Sequence, residues 1–198
     1  MTRWGPRRSL TVAGATYAAT GVLLLRRMRR ELLARGRLSP VTVTWMYATY
    51  GTHAAASAWM LRYGTVIADR WLPFPTRAIG SVLALGGAGL SLAGASRFVG
   101  PSQLSGTQVG HQISSGMYRY SRNPQYTGLI LLLLGLAVAR RSPGAALLAA
   151  GAAGAYRWWV PVEERHLEAE FGQQYRAYRA HTPRWLGLPS TSYGTSQL

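Results

Sequence analysis

Polar side chains suited to chemistry lie directly against two apolar stretches of the chain. Arginine, asparagine and tyrosine gather in "YRYSRNPQY" (118–126), just before one apolar run, and two glutamates, "EE" (163–164), follow the next. An arginine such as Arg122 can orient an anion, and a glutamate such as Glu164 can accept a proton from an amine. Tyrosine rings can favour a cation. These residue types indicate a site that handles a charged, reacting group.

The elements that must position this site are apolar segments. Hydrophobic residues make up 48% of the 198-residue chain and charged residues 14%, well below the roughly one quarter of soluble domains. A straight membrane span needs about 20 residues, so some of the segments are marginal or short. We expect an all-α, polytopic membrane helix bundle of about five transmembrane helices. The segments are 10–25, 41–61, 78–96, 127–139 and 144–160.

The last two segments read as a helical hairpin. They are separated by "RRSPG" (140–144), in which Pro143 and Gly144 predict a turn. A hairpin returns to its own side of the membrane, so the polar regions 103–126 and 156–178 should be neighbours. Asn123 and Pro124 are predicted as the N-cap and first residue of the fourth helix.

The charge pattern favours a membrane over nucleic acid. The net charge is +16, and the chain has arginine but no lysine. The arginines gather at the ends of apolar runs. That placement is typical of the positive-inside rule and of binding to anionic lipid headgroups. We therefore expect membrane lipids as partners, no nucleic acid, and an integral protein of a bacterial-type plasma membrane. The regions 26–40, 97–126 and 161–198 should share its cytoplasmic side.

The remaining composition excludes several site types. The chain has no cysteine, which excludes disulfides, zinc–thiolate sites and cysteine nucleophiles. Its four histidines are scattered, so no metal site is predicted. Small residues in 86–96 and 144–155 predict close helix packing in lipid.

The C-terminal part changes character after the fifth segment. Residues 162–189 hold four of the six acidic residues of the chain, and apolar or aromatic side chains recur from Leu167 to Tyr178 at helical spacing. We predict a cytoplasmic amphipathic helix that Gly172 bends or breaks. The predicted units are three N-terminal spans (1–98), a core with the site (99–188) and a flexible tail (189–198). The N-terminus is similar to a signal peptide, but the apolar run continues to an arginine cluster, which favours a retained helix.

Two stretches resemble a known family. "GHQISSGMYRYSRNPQYTG" (110–128) and "EERHLEAEFGQQYRAYRAHTPRW" (163–185) look like the C-terminal core of the integral-membrane methyltransferases. That family includes isoprenylcysteine carboxyl methyltransferase and the phospholipid N-methyltransferases. The family pattern is approximately G-x-Y-x-x-x-R-H-P-x-Y-x-G, then E-E, then F-G-x-x-Y-x-x-Y. The resemblance covers roughly residues 100 to 186.

The resemblance implies S-adenosylmethionine as methyl donor, with S-adenosylhomocysteine as product, bound at the cytoplasmic face. It implies substrate contacts near Arg157 and Trp159. Independently of the resemblance, the chemistry of the side chains predicts catalytic roles for Arg122, which can orient an anion, and for Glu164, which can act as base for an amine. Cofactor contacts are implied for the residues that match the two motifs: Gln103, Gly110, His111, Gln112, Ile113, Tyr118, Asn123, Pro124, Gln125, Tyr126 and Glu163.

This chain departs from the family pattern at some positions. Asn123 stands where many members have histidine; an amide cannot transfer a proton but can still hydrogen-bond a base or ribose. His111 is one place from the usual histidine. A substrate-facing arginine of the carboxyl methyltransferases falls near Trp159, where this chain has only the neighbouring Arg157.

The predicted function is methyl transfer to a lipophilic or lipidated acceptor. Two acceptor classes stay open, an isoprenoid or lipid carboxylate and a phospholipid amine. Alignment and exclusion of water can supply much of the catalysis for such an in-line displacement. The alternative is a non-catalytic membrane scaffold or transporter, although no inverted repeat with broken helices is evident.

Overall fold

The computed structural model describes residues 6–67, 75–98 and 112–190. These residues form five α-helices and one 3-10 turn, Gly116–Arg119, and contain no β-strand. The predicted all-α fold is confirmed. Three residues predicted as cofactor contacts, Gln103, Gly110 and His111, lie outside the described residues. The helices are α1 Pro6–Arg35, α2 Pro40–Tyr63, α3 Thr76–Ala95, α4 Pro124–Ala139 and α5 Pro143–His181.

Proline begins four of the five helices, α1 at Pro6 among them. Pro40, Pro124 and Pro143 stand in the first turn, where a missing N–H costs nothing. The hydroxyl of Ser142 caps α5 by accepting from the backbone N–H of Ala145. The predicted turn at Pro143 and Gly144 is therefore wrong by a few residues: the chain reverses at 140–142, because Pro143 already belongs to the helix.

The connection between α1 and α2 is organised by one carboxylate. Helix α1 continues past its apolar run through the arginine cluster, which places Glu31 beside the start of α2. Glu31 accepts hydrogen bonds from the backbone N–H of Ser39 (2.8 Å), from Thr42 Oγ1 (2.8 Å) and from Arg27 Nε (3.0 Å). Burial would raise the pKa of Glu31, but these hydrogen bonds outweigh it and hold the pKa at about 2.

Helices α3 and α4 pack backbone against backbone through glycine. Gly80, Gly87 and Gly94 recur every seven residues on α3, and Gly128 and Gly135 do so on α4. A Cβ atom on Gly87 would lie 2.4 Å from the backbone nitrogen of Leu132, and one on Gly128 would lie 2.3 Å from that of Ser91. Contacts this close require glycine. The predicted close packing is therefore confirmed at Gly87 and Gly94 in 86–96, whereas a Cβ atom on Gly151 or Gly154 in 144–155 would meet nothing within 4 Å.

The outer faces of the bundle are apolar. Val82, Leu85 and Leu92 of α3 are each about 70% exposed, as is Leu147 of α5. Among the described helices, α3 is the one both long and apolar enough to cross a membrane, and α4 is apolar but shorter. Exposed apolar faces on this scale are typical of contact with a membrane or a partner. The fold is consistent with a helical membrane bundle.

The fifth span and the tail helix are one element. Helix α5 runs for 39 residues and passes through Pro161, so the two predicted helices are joined. The break comes later, at Gly172, whose φ of 52° and ψ of −122° are not helical. The position of the predicted bend is confirmed.

Candidate functional site

The α4–α5 hairpin brings the two polar regions together. The hydroxyl of Tyr126, at the start of α4, donates to Glu163 of α5 at 3.0 Å. The hydroxyl of Tyr178, further along α5, donates to the backbone carbonyl of Tyr118 at 2.8 Å. Residues 118–126 and 163–178 therefore form one cluster, which we call the hairpin-mouth cluster.

Glu163 lies in aromatic surroundings. The Tyr126 ring stacks on Tyr156 with centroids 4.5 Å apart, and Trp159 also lies beside this carboxylate. Burial raises the pKa of Glu163, and the hydrogen bond from Tyr126 and the polar Trp159 side chain act in the opposite direction. The neighbouring carboxylate of Glu164 also raises this pKa. A partly buried carboxylate among ring faces suits a cation.

Glu164 is in a different environment. It is 4% exposed, and its oxygens accept hydrogen bonds from Arg184, the shortest at 2.6 Å, and form an ion pair with Arg122 at 3.1 Å. Arg122 also donates to the carbonyl of Arg179 at 3.1 Å. The two predicted catalytic residues, Arg122 and Glu164, are thus paired with each other, and both side chains make further contacts.

Tyr118 fixes a third predicted residue. Its hydroxyl donates to Gln125 Oε1 at 2.5 Å, and its ring and that of Phe98 make a T-shaped, edge-to-face contact. Burial raises the pKa of Tyr118, and the Glu163 carboxylate raises it further. The phenol therefore stays protonated and acts as a hydrogen-bond donor.

Asn123 is held by the C-terminal part of the chain. It is 7% exposed, and its side-chain Nδ2 donates to the carbonyl of Arg184 at 3.1 Å. Asn123 precedes Pro124, which is fully buried, but its side chain makes no capping hydrogen bond to α4. Asn123 therefore stands at the predicted N-cap position, but its side-chain amide hydrogen-bonds the C-terminal segment and not helix α4.

The other predicted residues are placed unevenly. Gln112 and Ile113 are partly buried, and Gln112 Oε1 is a buried oxygen with no hydrogen-bond partner among the residues that the structure describes. Trp159 is 7% exposed and packs in the core, while Arg157 is exposed. The structure therefore does not bring the two predicted substrate residues together.

Sequence reasoning missed Arg184 and Tyr156. Arg184 pairs with a glutamate 20 residues earlier, and no helical spacing in the sequence predicts that contact. Tyr156 could have been found, because it lies seven residues before Glu163 and so on the same face of α5.

Comparison with known proteins agrees with this geometry. A family model described as phospholipid methyltransferase matches residues 76–174, half of the chain, from the start of α3 to beyond Gly172. No curated protein and no solved structure matches. The matched range contains the glycine-packed α3–α4 pair, the hairpin and both glutamates. The chain therefore belongs to the phospholipid methyltransferase family, whose members are membrane-associated enzymes that methylate lipid-related substrates.

Proposed function

We propose that this protein transfers a methyl group from S-adenosylmethionine to the amine of a phospholipid headgroup, at the cytoplasmic face of a plasma membrane. The observation that carries this proposal is the partly buried Glu163 carboxylate, which lies among Tyr126, Tyr156 and Trp159. Family membership supports the reaction class. The arginine-rich loops support the choice of membrane side.

The residues present fit the donor. When bound, S-adenosylmethionine supplies a methyl group on a positively charged sulfur. Glu163 and the tyrosine faces around it would favour that charge, and the unpartnered Gln112 Oε1 could accept a hydrogen bond from the donor's amino groups. Tyr118 and Asn123 stay proposed contacts to the donor, because they stabilise the turn that would lie against it. These contacts would align the donor and exclude water.

Electrostatics favours an amine over a carboxylate as the acceptor. A carboxylate acceptor needs a cation beside it, but Arg122 and Arg184 are both engaged by Glu164. Arg157 is exposed and outside the cluster's hydrogen bonds. Glu163 would repel a carboxylate and attract an ammonium group. An amine therefore matches the charge of the described site.

The two glutamates take different roles in this proposal. Glu163 has no arginine among its described partners, so it can hold positive charge and take the proton that an amine must lose. Glu164, which the sequence suggested as the base, is occupied by Arg122 and Arg184 and acts as a positioning residue.

The test is methyl transfer by the full chain in lipid nanodiscs with isotope-labelled S-adenosylmethionine. Phosphatidylethanolamine and a prenylated cysteine with a free carboxylate are offered separately. We expect label on the amine lipid, with Glu163→Gln lowering turnover about 100-fold or more. The matched control is Glu170→Gln, an exposed residue of the same helix, which should leave turnover unchanged.

Two results would overturn the proposal in different ways. Label on the prenylated cysteine alone would retain the donor and reject the amine acceptor. Failure of the folded wild type to bind S-adenosylhomocysteine in calorimetry would reject the donor and favour a scaffold or transporter.

A further inference from the structure

A cavity lies at the end of α3, and Glu163 is not among the residues that line it. Its volume is about 410 Å³, within the roughly 300–1,000 Å³ range of small-molecule sites. The last residues of α3 form one wall, and the turn Gly116–Arg119 with Tyr120 forms the other. Arg119 and Tyr120 of the hairpin-mouth cluster line this space, but Glu163 and the aromatic side chains around it do not.

The cavity is basic. Arg97 and Arg119 both line it, and none of its lining residues, all of which are described, is acidic. Ser96 and Tyr120 add hydroxyl groups. Two guanidinium groups without a carboxylate, beside hydroxyls, suit an anion with several oxygen acceptors, as in a phosphate group.

Gly116 makes room for one of these arginines. It has a φ of +63°, and a Cβ atom there would lie 2.6 Å from an Arg97 terminal nitrogen and 2.9 Å from Nε. The guanidinium of Arg97 therefore lies against the backbone of the turn. Glycine at 116 both permits the turn and fixes the position of the charge.

The turn separates this cavity from the methyl-transfer site. The Tyr118 side chain is buried and bonds Gln125, on the side of the hairpin-mouth cluster. Its neighbours Met117 and Arg119 line the cavity instead. Arg97 directly follows the apolar helix α3, which puts the cavity at the level of lipid headgroups.

We propose that this cavity binds a phosphate group, which the guanidinium groups of Arg97 and Arg119 hold at the membrane surface. The phosphate can belong to an anionic lipid headgroup or be free in solution, and the chemistry of recognition is the same. Binding there does not depend on methyl transfer, so its test uses no activity measurement.

The first arm of the test measures lipid retention. The full chain is reconstituted in phosphatidylcholine nanodiscs that contain a minor fraction of phosphatidylglycerol, and retained lipid is counted by native mass spectrometry. We expect Arg97→Gln and Arg119→Gln each to weaken phosphatidylglycerol binding about five-fold, the effect of one arginine near an anionic surface. The matched control is Arg77→Gln, an exposed arginine at the opposite end of α3, which should retain wild-type binding.

The second arm adds inorganic phosphate to the protein in phosphatidylcholine alone and follows its thermal midpoint. A rise in the thermal midpoint of the wild type, but not of the double variant that carries both Arg97→Gln and Arg119→Gln, would support the site with free phosphate as ligand. Equal lipid loss in Arg77→Gln, or unchanged binding of both probes by the double variant, would overturn the proposal. The same holds if the wild type binds neither probe.

Discussion

At the scale of single residues, the loss of stability on removing an arginine from Glu164 should be larger for the more deeply buried arginine. Arg122 has a 9% exposed side chain, whereas the Arg184 side chain is 43% exposed. Breaking a buried ion pair costs about 3–5 kcal/mol, because it leaves a charge unpaired. We expect Arg122→Gln to lower the thermal midpoint clearly more than Arg184→Gln does. The measurement is thermal unfolding of each variant in the same detergent.

A surface ion pair provides the control for this comparison. Arg176 is 51% exposed and lies 3.7 Å from Glu168, and such pairs contribute about 0–1 kcal/mol. Arg176→Gln should therefore leave the midpoint nearly unchanged. If Arg122→Gln were no more harmful than Arg176→Gln, the Glu164 network would not be a stabilising element.

The hairpin predicted from the sequence made neighbours of regions 103–126 and 156–178, and Tyr126 does contact Glu163. The hairpin between them forces that result, because both flank the same pair of apolar runs. The roles of Glu163 and Glu164 could not be separated in this way. They differ because Arg184 reaches only one of them, and that contact depends on how the chain turns back after α5.

At the scale of elements, the glycine-packed α3–α4 pair should be sensitive to one methyl group. A Cβ atom on Gly87 would lie 2.6 Å from the carbonyl oxygen of Gly128. Overpacking of a well-packed core costs about 1–3 kcal/mol, and here the opposing atoms are backbone, which cannot rotate away. We expect Gly87→Ala to lower both the thermal midpoint and the yield of monodisperse protein on size-exclusion chromatography.

Gly89 is the matched control on the same helix. It has nothing within 4 Å of an added Cβ atom, and alanine is intrinsically better than glycine in a helix interior. Gly89→Ala should therefore retain or raise the midpoint. Equal damage from both changes would mean that α3 is sensitive to alanine in general and not through its contact with α4.

Element boundaries were predicted correctly at some prolines and not at others. Pro124 begins α4 as expected, whereas Pro143, expected in a turn, begins α5. The sequence pattern divided α5 into a span and a tail helix, because the apolar run stops near Pro161. The structure continues the helix through that proline and breaks it at Gly172, where φ is positive. The predicted boundary between units at residue 98 stays a prediction, although close α3–α4 contacts cross it.

At the scale of the whole molecule, residues 182–190 act as a C-terminal strap over the polar turn before α4. The backbone N–H of Arg122 donates to the carbonyl of Pro183 at 2.9 Å, and that of Gly187 donates to Tyr120 at 3.0 Å. This strap lies beyond the residues that the family model matches. It joins the two ends of the hairpin-mouth cluster, since Arg184 also binds Glu164 of α5.

We therefore expect a stop after His181 to loosen the turn while α3 and α4 stay packed. The Arg122 amide loses its acceptor and Glu164 loses one of its two arginines, so hydrogen exchange in peptides covering 120–123 should accelerate towards unprotected rates. Peptides from the α3–α4 contact should keep their protection, because their close approach involves no strap residue. A stop after Ser190 is the matched control, since every strap hydrogen bond described above is made by earlier residues. Unchanged exchange in 120–123 after the shorter stop would show that the turn is held without the strap.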